Sequence, residues 1–298
     1  MKILITGSQG LIGKSFRALY SNYEYNVLDY SRIDYDSTIN KAFNVDLTTD
    51  DLSKAFSNVD VVIHLADLNP RSAEHISAFN YYNNNVNSTL NIIKNIEQNH
   101  IKHVIFISTS QIYGDGINFE ENSIPNPLST YAKSKLSCEN IIKDFCNDNH
   151  VTYQILRTGS VAGAIIDKSI TKSLCSENHL ISNIAKCSIK GTNATVLNPN
   201  ILRTYIHIED LCKAIDACIN SNSSGIFNLG ACTASSHMIA NEFRKQTGIE
   251  CVLFKYENTE LLHNTITCNL FNSAFGVEFS HDIDKMIKDT LTFYRKCN

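Results

Sequence analysis

The sequence predicts an α/β fold, a doubly wound parallel sheet with a smaller C-terminal lobe, and three observations carry that prediction. Short β-branched runs alternate with segments of helical period through the first half of the chain, the pattern of strands wound by helices on both faces. Two of the runs, Val61-Val62-Ile63 and Val104-Ile105-Phe106-Ile107, are apolar at successive positions, as central strands covered on both faces must be. A glycine-rich turn, Thr6-Gly7-Ser8-Gln9-Gly10-Leu11-Ile12-Gly13, joins the first run to the first helical segment.

Taken in order, Lys2–Thr6 is the first strand, Gly13–Ser21 the first helix and Tyr25–Leu28 the second strand. Leu52–Phe56 reads as a helical segment, Val59–Leu65 as a strand and Tyr81–Gln98 as a helix. The strand His103–Ser108, the helix Tyr131–Asn147 and the strand Tyr153–Arg157 complete a Rossmann-type core over residues 1–157. Beyond Arg157 the regularity fades into a stretch rich in Ser, Asn and Lys. Residues 158–201 and 233–298 are expected to form a smaller substrate-binding lobe over the sheet's carboxyl edge, where ligands of such sheets bind, with 202–232 returning to the core. Ile226–Gly230 reads as one more strand, and Asp284–Lys296 as a closing amphipathic helix with Ile283, Met286, Ile287 and Leu291 on one face.

Composition narrows the function. With 43% hydrophobic and 19% charged residues over 298 positions, the chain can bury a sizeable core, which excludes wholesale disorder. A net charge of −4 gives no electrostatic footprint for nucleic acid or an anionic membrane surface, and no apolar run is long enough to cross a bilayer. The ten cysteines form no Cys-x-x-Cys pair and all lie after residue 137, so they read as reduced core thiols rather than a metal cage or disulfide framework. Met1-Lys2 runs directly into a strand, which leaves no room for a signal peptide and implies a cytoplasmic protein.

The glycine turn lets the backbone bend sharply and approach a pyrophosphate held at a helix N-terminus. Gly7, Gln9, Gly10, Leu11, Ile12 and Gly13 are therefore the first cofactor contacts. Asp29 ends the second strand, placed to accept hydrogen bonds from the adenosine ribose and to repel a 2′-phosphate, which selects NAD. Arg32, three residues on, is able to reach a 2′-phosphate, so NADP stays open as the alternative. Asp46-Leu47 follows the next apolar stretch, where the carboxylate either meets the adenine amino group or caps a helix.

Tyr131-Ala132-Lys133-Ser134-Lys135 places Tyr131 and Lys135 one helical turn apart on one face. Using a phenol as a base near neutral pH needs a shift of about 3 units, or roughly 4 kcal/mol, which a neighbouring ammonium and an oxidised nicotinamide together supply. Thr109 follows a buried strand, so its hydroxyl emerges at the sheet edge.

These residues together resemble the extended short-chain dehydrogenase/reductase family. The pattern also takes in His64-Leu65-Ala66, Asn85, Ser-Thr-Ser-x-x-Tyr-Gly at 108–114, Pro125-Asn126-Pro127, Glu139, Arg157, Arg203 to Asp210 and Asn228-Leu229-Gly230. The resemblance implies a catalytic set of Thr109, Tyr131 and Lys135, with Leu65 and Ala66 against the cofactor. It further implies a nucleoside diphosphate sugar as substrate and a homodimer as the assembly. Tyr81–Val86 and His179-Leu180-Ile181 look most like the 4-epimerase branch, which makes His179, Leu180, Ser110 and Gln111 substrate contacts and Arg203 a guanidinium clamp on the diphosphate. His64 and His207 read as core histidines with no carboxylate at ligand spacing, and no metal is expected. Asn85 is expected to brace the active-site helix.

Dehydratases of that family carry a carboxylate just after the threonine to remove a C5 proton, whereas Ser110 and Gln111 stand here, which disfavours that chemistry. Two main readings remain, a 4-epimerase with tightly held NAD and a reductase of nucleotide-linked 4-keto sugars using NAD(P)H; a third, a catalytically silent NAD-binding regulator, is opposed by the intact Thr109, Tyr131 and Lys135 set. The sequence Tyr256-Glu257-Asn258-Thr259-Glu260 lacks the Arg-x-Gly-Asp of epimerases, and Ser160 and Ala162 replace the usual Asn and Tyr.

Overall fold

Seven strands form the sheet that the apolar runs predict, in the order β3-β2-β1-β4-β5-β7-β11. A computed structural model describes residues 1–30, 36–70, 75–165, 179–256 and 262–297. The strands are β1 (Lys2–Thr6), β2 (Glu24–Asp29), β3 (Ile39–Asn44), β4 (Val61–His64), β5 (His103–Thr109), β7 (Thr152–Thr158) and β11 (Gly225–Leu229). The β1–β2, β1–β4, β2–β3 and β4–β5 pairs are all parallel. Strand order reverses between β1 and β4, and at such a switch point the carboxyl ends of an α/β sheet open a crevice for a ligand.

The helices of this sheet are α1 (Leu11–Leu19), α2 (Ala78–Tyr81), α3 (Ser88–Gln98) and α4 (Thr130–Asn149). Leu4, Val62, Val104, Phe106 and Ile155 from the strands pack with Ile92, Ile96, Cys138 and Ile142 from α3 and α4 in one apolar cluster. Between α2 and α3, residues Tyr82–Asn87 form a π-helical turn, so the segment expected as one helix is three pieces. Ser129 caps α4 by accepting from Ala132 N, a satisfied donor at a helix start.

One expected element is absent. Residues Leu52–Phe56 form tight turns, with Ala55 N donating to Leu52 O and Phe56 N to Ser53 O. Leu52, Ala55 and Phe56 are buried, so the apolar spacing serves as an anchor without extending to a helix. Strand β3, the short stretch before Asp46-Leu47 to which the sequence assigns no strand, pairs with β2 at the sheet edge.

The chain forms two compact units, one of Met1–Ile112, Asn126–Arg157 and Ala214–Phe227, the other of Tyr113–Pro125, Thr158–Lys213 and Asn228–Asn298. The second unit holds a sheet in the order β12-β10-β14-β6, with β8 also paired to β10. Its strands are β6 (Gly116–Phe119), β8 (Ser160–Ala162), β10 (Leu202–His207), β12 (Cys232–Ser235) and β14 (Asn264–Ile266). A parallel pair, β9 (Ala194–Leu197) and β13 (Val252–Lys255), stands apart. Helix α5 (Leu180–Lys190) packs on α7 (Ser236–Thr247) and α9 (Ile283–Cys297), while α6 (Ile208–Ile219) and α8 (Asn269–Phe275) complete the set. The closing helix buries Met286, Ile287 and Leu291 as its periodicity predicts.

Among the described residues eight cysteines are unbridged, six of them buried. Burial pushes the Cys146 thiol up to about 12, which leaves it protonated and inert.

Candidate active site

The glycine turn is built by close packing. Gly7 has φ +68°, and a Cβ there would meet Ala66 N at 2.8 Å, while one on Gly13 would meet Ser8 Cα at 2.6 Å. Only glycine fits either place, so the turn lies directly on the Leu65-Ala66 backbone. Gly10 is the N-cap of α1 without a side-chain cap, so the helix offers its first N–H groups to a ligand. Leu11 and Ile12 in the first turn are partly buried.

Asp29 is buried at the end of β2 and accepts Ser8 Oγ at 2.5 Å and Gln9 N at 3.3 Å. Burial raises its pKa, and these hydrogen bonds oppose the rise. Arg32 lies outside the described residues. Asp46 accepts Thr48 N at 2.8 Å and Thr48 Oγ1 at 2.6 Å, so its carboxylate closes a turn rather than capping a helix, and the Thr48 hydroxyl lowers its pKa. Leu47 beside it is buried.

At the far end of the switch point, Tyr131 and Lys135 share the buried face of α4. Lys135 Nζ stands 4.2 Å from the Phe106 ring centroid, a cation–π contact inside the core. The ring of Tyr131 lies 6.1 Å from that of Tyr81. Both polar tips meet one carboxylate: Tyr131 Oη donates to Asp67 Oδ2 at 2.9 Å, and Lys135 Nζ is 3.6 Å from the same oxygen. Thr109 ends β5, nearly buried, and its Oγ1 accepts Gln111 N at 3.2 Å. Ser110 is buried beside it, and Gln111 is exposed.

A second charged cluster on α4 fixes the helix against the sheet. Glu139 receives Arg157 Nη2 at 2.7 Å and Arg157 Nε at 3.1 Å, and it accepts the Ser108 hydroxyl in a short hydrogen bond. One carboxylate thus ties α4 to both β5 and β7.

His64 is neutral and wedged between hydroxyls. Thr89 Oγ1 donates to Asn85 O at 2.7 Å, so it accepts from His64 Nε2 at 3.2 Å while Nδ1 accepts from Thr6 Oγ1 at 2.7 Å. Burial, with the Lys135 charge adding, holds its pKa down at about 3. Asn85 braces the site as expected: its amide accepts Leu68 N at 2.7 Å and donates to Leu68 O at 3.1 Å and Ser134 Oγ at 3.0 Å.

Arg203, His179 and Leu180 belong to the second unit. Arg203 stands on β10 opposite Ala234 and Asn264 and forms no ion pair with another described residue. His179 is the N-cap of α5, and Leu180 opens that helix, partly buried. Of the Tyr256–Glu260 stretch, residues 257–260 lie outside the described residues. His207 departs from expectation, because carboxylates do approach it: Nε2 is 3.4 Å from Asp289, and His207, Glu209 and His281 bring potential ligand atoms within 4.8 Å of one another. Glu209 N donates to His207 Nδ1, which puts the proton of the neutral ring on Nε2, and burial, with His281 adding, lowers its pKa to about 4.

Two site residues escaped the sequence reading. Asp67 lies outside every motif, its only signal being a carboxylate directly after the His64-Leu65-Ala66 strand end. Arg17 is buried on α1 and reaches Asp36 at 2.6 Å, Thr38 at 2.8 Å and Ser8 O at 3.5 Å. A charge on the helix face that also carries Gly13 and Phe16 is the mark that would have found it.

The fold and site define a doubly wound α/β protein with a dinucleotide-type glycine turn and a buried tyrosine–lysine pair. The profile of the NAD dependent epimerase/dehydratase family matches residues 3–230, and the chain belongs to that family. A UDP-glucose 4-epimerase of Lactobacillus helveticus is 28% identical over 281 residues, covering 84% of this chain and 83% of that protein. A dTDP-D-glucose 4,6-dehydratase of Dictyostelium discoideum is 26% identical over 262 residues, 77% of this chain and 58% of that protein. In fold, the chain is similar to the UDP-glucuronic acid 4-epimerase of Bacillus cereus in complex with UDP-glucuronic acid and NAD, with a TM-score of 0.85, 22% identity and full coverage of both chains. Among the described residues no helix is long and apolar enough to cross a membrane.

Proposed function

We propose that this protein is a nucleotide-sugar 4-epimerase that oxidises the sugar C4 hydroxyl and reduces the resulting ketone on its other face. The observation that carries the reading is the pairing of Tyr131 and Lys135 on the buried face of α4, in a chain whose relatives include UDP-glucose 4-epimerases. NAD fits the glycine turn: Gly7 and Gly13 let the turn pack tightly on the backbone of Ala66 and Ser8, the start of α1 has no side-chain cap and can receive a pyrophosphate, and Asp29 ends β2 beside the turn. Gln9, Gly10, Leu11, Ile12, Asp46, Leu47, Leu65 and Ala66 are assigned to the same cofactor. When bound, NAD supplies the hydride acceptor and then the donor.

The side chains do the proton work. Tyr131 takes the C4 hydroxyl proton as that carbon is oxidised and returns it as the ketone is reduced. Lys135 stabilises the phenolate by its charge, and Thr109 holds the sugar oxygen by a hydrogen bond. Arg203, unpaired with any described residue, clamps the diphosphate, with His179 and Leu180 alongside; Ser110 and Gln111 face the sugar. Neither Ser110 nor Gln111 can act as a carboxylate base for C5, which supports an epimerase over a dehydratase reading. Exposed Phe79, Tyr82 and Leu90 along α2 to α3 support a homodimer.

A 4-keto-sugar reductase is the second reading, favoured by the Asp67 carboxylate that faces the phenol. Purified protein incubated with UDP-glucose should form UDP-galactose without added cofactor and release NAD only on denaturation. Empty protein that instead consumes NADPH on a 4-keto sugar selects the reductase. Oxidation of small alcohols as readily as of nucleotide sugars overturns both.

A further inference from the structure

We propose that Asp67 is a positioning residue for Tyr131, holding its hydroxyl as the protonated, proton-giving form and sharing the Lys135 charge that would otherwise act on the phenol alone. The proposal rests on the reading of Tyr131 and Lys135 as the proton-handling pair.

The placement of Asp67 is built into the loop on both sides. Before it, Leu65 N and Ala66 N donate to Thr6 Oγ1 at 3.2 and 3.1 Å. After it, the Asn85 amide grips both backbone groups of Leu68, and the same amide bonds Ser134, on the α4 turn between Tyr131 and Lys135. The loop that carries the carboxylate and the helix that carries the phenol are therefore set by one amide. Asp67 itself keeps its side chain 20% exposed while Lys135 is 2% exposed.

The electrostatic sign follows from the groups facing the phenol. Lys135, on the same helix, favours the phenolate; Asp67, on the loop after β4, favours the phenol and draws on the same ammonium. Tyr81 from α2 contributes a neutral ring. Farther along Lys135 lie His64 of β4, neutral, and on α4 Cys138, a thiol that burial keeps protonated. Glu139 on α4 is neutralised by Arg157 of β7. Asp67 is thus the carboxylate that meets the phenol directly, at 2.9 Å, while its pairing with Lys135 at 3.6 Å is looser than that of Glu139 with Arg157. In ketone reduction Tyr131 gives its proton to the carbonyl oxygen as that carbon receives hydride from the reduced nicotinamide, leaving a phenolate that Lys135 stabilises. Asp67 keeps the proton available for that step. The opposite step, alcohol oxidation, begins from the phenolate and has to proceed against the Asp67 charge.

The chain has no tryptophan, so absorbance near 295 nm reports tyrosinate without indole background. Titrating the purified full chain against pH, with and without saturating NAD, and subtracting the matching Tyr131→Phe variant isolates the ionisation of Tyr131. Asp67→Asn keeps the shape and a hydrogen-bonding group but removes the charge. It should lower the Tyr131 midpoint by about one to two pH units, the equivalent of one charge-assisted hydrogen bond, and Asp67→Ala should move it in the same direction should the Asn variant misfold. A midpoint within about 0.3 unit of wild type, in a folded variant, overturns the proposal. Because the titration needs no substrate, it is decided separately from the 4-epimerase reading. A protein that turns over no nucleotide sugar can still show the shift, and an active epimerase can lack it.

Discussion

Helix α4 carries two buried charges one turn apart, and the protein treats them in opposite ways. Glu139 is closed off: Arg157 meets it with two nitrogens and Ser108 adds a hydroxyl. Lys135 is held more loosely, its ammonium over the Phe106 ring and 3.6 Å from a carboxylate whose side chain is 20% exposed. A fully satisfied charge pair fixes geometry and does nothing else. A loosely partnered one keeps its field for whatever binds beside it. The first cluster sets where the helix lies, and the second uses that placement.

Breaking the reactive end should give the largest effect. Tyr131→Phe keeps the ring packing and loses the proton, so turnover should fall about 10² to 10⁴-fold with NAD affinity retained; steady-state kinetics and a cofactor titration check both halves. Breaking the structural end should instead unfold. Arg157→Met leaves Glu139 buried and uncompensated, a loss of about 3–5 kcal/mol in a urea denaturation curve. Wild-type stability in that variant would mean that the two clusters do not differ in kind.

Arg203→Ala sharpens the contrast from the second unit. Losing one charge-assisted contact should weaken nucleotide-sugar binding about tenfold to a hundredfold while leaving cofactor affinity alone, measurable by calorimetry with UDP-glucose. The last effect, spread over pH, comes from His64. Its folded pKa is depressed, at about 3, below the ordinary value near 6.5. Its contribution is therefore complete above pH 6.5 and is lost as pH falls towards 3, by about 1.4 kcal/mol for each unit. A His64→Asn variant should lose that slope, seen in denaturation midpoints between pH 7 and 4.

The glycine turn, the parallel sheet and the Tyr131–Lys135 pair were legible because each is written in short-range pattern: glycine spacing, apolar runs, one helical turn. Helix α9 was legible for the same reason, its buried face recurring along the segment. Strand β3 was not, since Ile39–Asn44 is half exposed at an edge and shows no apolar alternation. The Leu52–Phe56 turn misled because burial of three spaced apolar residues looks the same in a turn as in a helix. Asp67 was invisible for a different reason: it lies 64 residues from Tyr131, and only the closing of the sheet brings them together. The carboxylates around His207 come from as far away as Asp289 on α9 and are hidden by the same rule.

The π-helical turn at Tyr82–Asn87 has a consequence for how this chain can change over time. Such a turn holds one more residue than an α-helical one. Losing a single residue there would close the wide turn to a regular α-helical one and leave the faces of α2 and α3 in place, whereas gaining one would turn one side by about 100° relative to the other and carry Tyr81 away from Tyr131. Point substitutions on the exposed positions of the segment leave that register alone. Among natural and laboratory variants, residues 82–87 should therefore accept the loss of one residue, with Asn85 kept, more readily than the gain of one.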